Sequence, residues 1–376
     1  MLQASELTTV VKKAAATAGF ELAGVAPVGD FRELDYFPQW IAGGYAGEMK
    51  YMEARNEAGD LKRAKLRTVA PWARSVVVCA LNYNTAHPYS IQADNPRHGW
   101  ISRYAWSRED YHQAVMARLR QVEAGLRGAV GAQAERAFPQ VGEMPALQTR
   151  CYVDTGPLVE RVYAKYAGIG WIGKNTCILS QKLGSWFFLG VILASIELTA
   201  DLPSPDRCGT CTRCIDACPT NALLEPYRLD SNRCIAYLTI EKRGSIAESV
   251  RDGIGRHVFG CDICQDVCPW NRKAPATSAA EFQPREGLFN PALEWLAEIT
   301  AEEFRRRFRG SPIRRAKRTG MRRNAAIAMG NSGDRRFLPI LENLAADDDP
   351  VVAEHARWAI ERLLHTLPAP GQGQSF

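Results

Sequence analysis

The sequence has no apolar stretch long enough to cross a bilayer as a helix. Its most apolar run, Trp186 to Ile196, is well short of the roughly 20 residues required. The start, Met1 to Phe20, lacks the uninterrupted apolar core of a signal peptide, because Glu6, Lys12 and Lys13 break it. Acidic residues are missing from Arg305 to Arg323, where ten arginines and lysines stand, although the net charge of all 376 residues is only +6. The expectation is a cytoplasmic, monomeric protein with reduced thiols and no membrane anchor. The unbalanced basic stretch points to a polyanion partner. With 46% hydrophobic residues, there is enough apolar material for two or three ordinary domains.

What the chain does have is a concentration of thiols. Eight of its eleven cysteines lie between residues 208 and 268, as Cys208-x2-Cys211-x2-Cys214-x3-Cys218-Pro219, a lone Cys234, and Cys261-x2-Cys264-x3-Cys268-Pro269. That is the spacing of a bacterial ferredoxin with two 4Fe-4S clusters, in which the cysteine before each proline crosses to the other cluster. The first cluster is expected on Cys208, Cys211, Cys214 and Cys268. A complete second motif needs a cysteine at 258, where Val258 stands, so Cys234 is expected to join Cys218, Cys261 and Cys264. Structural zinc also uses thiolate quartets, but it gives no reason for two Cys-x3-Cys-Pro endings. A disulfide framework is disfavoured by the length of the chain and its expected compartment.

Periodicity divides the rest. Leu7, Val10, Val11, Ala14 and Ala15 recur at helical spacing, whereas Ser75 to Leu81, Thr149 to Val153 and Gly184 to Leu193 read as strands, the last buried on both faces. A helix is expected to open at Pro157 and stop near Gly168. Helices are also expected over Arg322 to Met329, Phe337 to Ala345 and Val351 to Leu364, as a HEAT-like pair packed on the preceding domain. The Pro368 to Phe376 tail is expected to be disordered. The whole reads as α+β, with boundaries at 1–200, 201–285 and 286–376.

Gly168-Ile-Gly170-Trp-Ile-Gly173-Lys174-Asn175 imitates a nucleotide loop, but a helix rather than a strand precedes it, and Asn175 replaces the hydroxyl that magnesium needs. The better expectation is close backbone packing against a flat ligand, with Lys174 and Asn175 at its rim. Cys79, Cys151 and Cys177 read as small buried residues, and His112 beside Tyr111 reads first as structural.

Four segments, in order, resemble the epoxyqueuosine reductases, iron-sulfur and cobalamin enzymes that complete queuosine in tRNA. They are Ile101 to His112, Val153 to Arg161, Ala167 to Thr176, and the eight-cysteine pattern. Ser107 stands where that family often has Gly. The resemblance implies a nitroreductase-like, cobalamin-binding core, followed by a two-cluster ferredoxin-like domain and a C-terminal α-helical HEAT-like repeat. It implies Asp154 as proton donor, with Ile178, Leu189 and Ala236 lining the cobalamin, and Arg103 and Tyr104 facing the corrin or substrate. A small-molecule corrinoid reductase of the reductive dehalogenase type is the alternative, and a pure electron-transfer protein leaves the first two hundred residues without a role.

Removing an epoxide oxygen takes two electrons and two protons, so an external low-potential donor, the clusters, the corrinoid and an acid each have a place. For Asp154 to serve as that acid, desolvation has to outweigh the preference of a helix amino terminus for the carboxylate. Arg314, Arg315, Lys317, Arg318, Arg322 and Arg323 are expected to hold the phosphates of the tRNA carrying epoxyqueuosine, while its base is read in the pocket.

Overall fold

A computed structural model describes residues 3–137 and 147–365, so the expected disorder of the Pro368 to Phe376 tail falls outside the described residues. Four strands, β1 (Leu22–Pro27), β2 (Ser75–Asn82), β3 (Thr149–Tyr152) and β4 (Phe187–Ala194), form an antiparallel sheet in the order β1-β2-β4-β3. The period-two alternation of β2 sends Val77, Cys79 and Leu81 into one core and Val76, Val78 and Ala80 into the other. β4 divides the same way, with Ile192 on the first face and Val191 and Leu193 on the second. Both faces are covered, which explains why these strands read as continuous apolar runs. Helices Ala4–Thr17 and Tyr111–Ala137 cover one face, and Glu160–Tyr166 covers the other.

The Glu160–Tyr166 helix begins later than Pro157, and Gly168 ends it with a left-handed φ of 71°. Before it, Gly156 to Leu158 remains a non-helical bend, so the helix starts six residues after Asp154 instead of directly behind it.

In the cysteine-rich part, two short helices, Arg213–Asp216 and Ile263–Asp266, repeat one local arrangement, each followed by the cysteine before a proline. Strand His257–Phe259 pairs in parallel with Trp100–Ile101 and ties this part to the first. Val258 is fully buried there and its carbonyl accepts from Asn324 Nδ2 at 2.8 Å. The position of the missing cysteine is thus occupied by core.

The C-terminal helices Lys317–Ser332, Leu338–Ala345 and Pro350–His365 share one hydrophobic core with Trp100, Ile101, Trp106 and Phe259. The first starts five residues before the expected Arg322. Its opening is polar and shows no apolar periodicity, yet from Gly320 to Gly330 every residue is buried.

Candidate functional site

The crossing of the two cysteine motifs brings the thiols together in two groups. Cys214 lies among Cys268, Cys208 and Cys211, and burial followed by those neighbours pushes its thiol up to about 11. Burial likewise pushes Cys268 up to about 11, with Cys208 and Cys211 adding to it. In the second group, burial and then Cys234 hold the Cys261 thiol well above its usual range, with Cys218 contributing. Cys264 adjoins Cys261 and Cys234 too. Cys234 occupies the residue before helix Ile235–Ile240, which carries it into this group. Iron-sulfur clusters bind the thiolate, and burying four thiolates together is costly unless a cationic centre is present to share their charge. Both quartets therefore fit the cluster chemistry their spacing implies.

Against the second quartet lies a mainly apolar cavity of about 330 Å³, lined by Cys218, Cys234, Cys261 and Cys264 together with Ile178, Leu189, Ala236 and Tyr104. Four of the expected cobalamin contacts are thus on one wall system with four expected cluster ligands. Asn175 also lines it, but its side-chain amide donates to the Cys264 carbonyl at 3.2 Å. Tyr83 and Arg161, which sequence reasoning missed, also line the cavity; Arg161 follows the expected donor loop and donates to Thr176 O at 2.9 Å.

Two expected contacts are corrected. Lys174 is spent on the first cysteine loop, donating to Gly209 O at 2.6 Å and Cys211 O at 3.0 Å, so it does not rim the cavity. The glycines before it serve a hairpin instead of a flat ligand: a Cβ on Gly170 would come within 2.1 Å of Leu179 O. Arg103 is 2% exposed and outside the cavity lining, donating to Thr85 O at 2.8 Å, His87 O at 3.0 Å and Pro88 O at 3.1 Å. Its neighbour Tyr104 does reach the cavity. The Ile101 to His112 segment is held to the cysteine part by buried Asp262, which accepts from Trp100 Nε1 at 3.0 Å and Arg103 N at 2.8 Å.

Tyr104 also leads out of the cavity. Its ring centroid is 5.9 Å from that of Tyr111, whose hydroxyl donates to Asp154 Oδ2. Asp154 has a left-handed φ of 56°, a conformation that Asp tolerates better than most residues and that tends to mark functional positions. His112 Nε2 stands 3.8 Å from the same Asp154 oxygen, while its Nδ1 is 2.8 Å from Asp110 Oδ1. The structural reading of His112 is therefore incomplete: it belongs to the Asp154 cluster.

The largest omission is Glu160. Its side chain lies beside Asp154, and its Oε1 is buried without a hydrogen-bond partner. Burial, followed by the Asp154 charge, raises Glu160 well above the carboxylate range. Desolvation was expected at Asp154, whose side chain is 51% exposed; it falls instead on the carboxyl behind it. Glu160 opens the helix at the end of the Val153 to Arg161 segment, and nothing in its spacing distinguishes it from a surface residue.

The basic run divides. Arg314, Arg315 and Lys317 are exposed and Arg318 is half-buried. Arg322 and Arg323 are 8% and 0% exposed, which removes them from any phosphate-binding face. Arg323 donates to Leu238 O at 2.7 Å, Gly244 O at 2.8 Å and Lys242 O at 2.9 Å, and Arg322 donates to Ala297 O at 2.8 Å while pairing with Asp347.

Two cysteine quartets, one bordering a cavity that a tyrosine pair connects to a carboxyl pair, define a double-cluster redox protein. Residues 207–271 match the family described as 4Fe-4S double cluster binding domain, and residues 63–155 match epoxyqueuosine reductase QueG, DUF1730. An epoxyqueuosine reductase of Synechocystis is 45% identical over 80% of this chain and 98% of its own length. One of Xanthomonas campestris is 38% identical over 93% and 94%. The crystal structure of an epoxyqueuosine reductase with an epoxyqueuosine-modified tRNA-Tyr stem loop superposes with a TM-score of 0.82 at 29% identity, covering 96% of this chain and 91% of that one. The chain belongs to the epoxyqueuosine reductase family. Among the described residues, no helix is long and apolar enough to cross a membrane.

Proposed function

We propose that this protein reduces epoxyqueuosine to queuosine at the wobble position of tRNA, drawing electrons from an external low-potential donor. Family membership supports the reaction, and the observation that carries the site is the Tyr104–Tyr111 link between a cysteine-walled cavity and the Asp154–Glu160 pair. Cys208, Cys211, Cys214 and Cys268 hold one 4Fe-4S cluster; Cys218, Cys234, Cys261 and Cys264 hold the other. Ile178, Leu189, Ala236 and Tyr104 hold cobalamin by their apolar surfaces, and Asn175 braces the loop of Cys264. Cobalamin supplies the strongly reducing metal centre that amino-acid side chains lack.

Asp154 gives its proton to the opening epoxide oxygen, which avoids a free alkoxide; general acid catalysis of this kind is typically worth about 10² to 10⁴ in rate. Glu160, desolvated behind it, keeps a proton within the pair. Tyr111 and His112 fix the Asp154 carboxyl between them. The same reading takes the sheet region as a nitroreductase-like core and the last helices as a HEAT-like repeat, with divisions near residues 200 and 285. The protein works as a cytoplasmic monomer.

The test is anaerobic single turnover on an epoxyqueuosine-bearing anticodon stem-loop. Asp154→Asn should retain iron and cobalamin and lose most of the turnover. Normal turnover by the fully loaded variant would return Asp154 to the role of a turn residue.

A further inference from the structure

Among the described residues few large apolar side chains are exposed, and one of them has unusual company. Tyr51, on the short turn Lys50–Glu53, is 44% exposed. The Arg315 guanidinium carbon lies 5.2 Å from its ring centroid and that of Arg63 lies 6.0 Å from it. Tyr51 and Arg63 lie twelve residues apart and Arg315 comes from the C-terminal part of the chain, so it is the fold that brings the third residue to the other two.

Each arginine is also held. Arg315 pairs with Glu241, and Arg63 Nη1 donates to Leu158 O at 3.1 Å, on the stretch joining Asp154 to Glu160. The Arg315 charge is felt at Tyr104 in the cavity wall, and that of Arg63 at Glu160. A half-exposed aromatic ring with two held guanidiniums over it thus stands next to the stretch that joins Asp154 to Glu160.

We propose that Tyr51, Arg63 and Arg315 form a stacking platform for an unpaired nucleotide of the substrate RNA loop, adjacent to the nucleotide that enters the cavity. This rests on the tRNA reading above. A base stacks on an aromatic face whatever its identity, and guanidiniums beside the ring meet the flanking phosphates. Cation–π pairing with the two arginines is worth only about 0.5 to 1 kcal/mol at an exposed site and does not require the ring to stand 44% exposed, and a phosphate clamp alone has no use for a ring. The platform assigns tolerance of neighbouring sequence to Tyr51 and leaves recognition of the modified base to the cavity.

The probe is an anticodon stem-loop with 2-aminopurine beside the wobble position, titrated into the cluster-loaded protein over a range of salt. Tyr51→Leu should weaken binding on the order of tenfold and abolish the quenching of 2-aminopurine, while Tyr51→Phe should retain both. Arg63→Gln should make the salt dependence shallower by roughly 0.7 in the log-log slope. Iron content and melting temperature of each variant establish that it is folded. If the parent binds and all variants bind and quench alike, the platform is overturned and the tRNA reading stands. Equal losses for Phe and Leu would mean that the hydroxyl, rather than the ring, makes the contact, which also overturns it. Failure of the parent protein to bind the stem-loop would remove the tRNA reading and the platform together.

Discussion

The cysteine segment and the basic run are both concentrations of one chemistry in a short stretch, yet the fold treats them oppositely. The cysteines from 208 to 268 gather into two groups, one around the short loop of Cys208, Cys211 and Cys214 and the other where Cys218, Cys234 and the Cys261 to Cys264 loop meet. The cations from 305 to 323 do not act as one unit. Those up to Lys317 are mostly exposed, while Arg322 and Arg323 are buried and donate to backbone carbonyls. A ligand set constrains its own geometry; a row of like charges does not. The buried end of the basic run even supports the cysteine segment, since Arg323 binds one carbonyl within the helix that Cys234 precedes and two just after it.

The largest effect that bears on this contrast is expected from Cys234→Ala. Four of about eight irons should be lost, with the quartet beside the cavity failing and the outer one surviving. Turnover should disappear with them. Full iron content and two unaltered reduction waves would mean that Cys234 is only a helix-leading residue and that the quartets are less self-contained than their spacing implies.

Next in size is Arg323→Met, which takes the donor from the buried Leu238 carbonyl and from the half-buried carbonyls of Lys242 and Gly244. A loss of about 3 kcal/mol or more is expected in denaturant titration, with iron binding weakened as a consequence of the loosened fold. A change under about 0.5 kcal/mol would place Arg323 with the surface cations after all.

How much of this was legible follows from the same contrast. The ligand quartets, the buried strands and the Ile178, Leu189 and Ala236 wall rest on local pattern or on resemblance, and each falls where one region of the fold collects it. Glu160, Arg103 and Arg323 were misread or passed over because their roles depend on desolvation and on partners from other segments. Glu160 becomes a proton-holding group only when Asp154 folds back onto it, and Arg323 becomes a core residue only when three distant carbonyls surround it. Val258 explains a departure from the two-cluster pattern for the same reason: its place is in the shared core, beside Gly99.

A pH effect of somewhat smaller reach probes the seam between the two segments. His355 Nε2 accepts from Ile246 N at 3.1 Å, and its Nδ1 donates to Val351 O at 2.6 Å, so the fold requires the neutral imidazole. Burial, only partly offset by the Val351 carbonyl, holds its pKa down to about 4. The unfolded chain protonates His355 near 6.5, and the folded one does not. Its contribution is therefore complete above about pH 6.5, declines as the pH falls towards 4 and then levels, amounting to about 3 kcal/mol in all. The stability of His355→Gln should lack this component of the slope; an identical pH profile for parent and variant would dissociate His355 from the acid weakening of the seam.

The smallest structural effect, and the one that completes the division of the basic run, is expected from reversing its exposed end. Arg314→Glu with Lys317→Glu changes two exposed side chains, so stability should stay within about 0.5 kcal/mol and iron content should not change. Affinity for the tRNA stem-loop should fall on the order of tenfold, and the salt dependence should become shallower, because fewer counterions are released when fewer phosphates are neutralised. Arg323→Met should show the converse, with stability lost and the salt slope of the protein that remains folded preserved. If the charge reversal leaves affinity and slope unchanged, the exposed end is a solvated face, and Arg63 and Arg315 at Tyr51 have to carry the phosphate contacts by themselves.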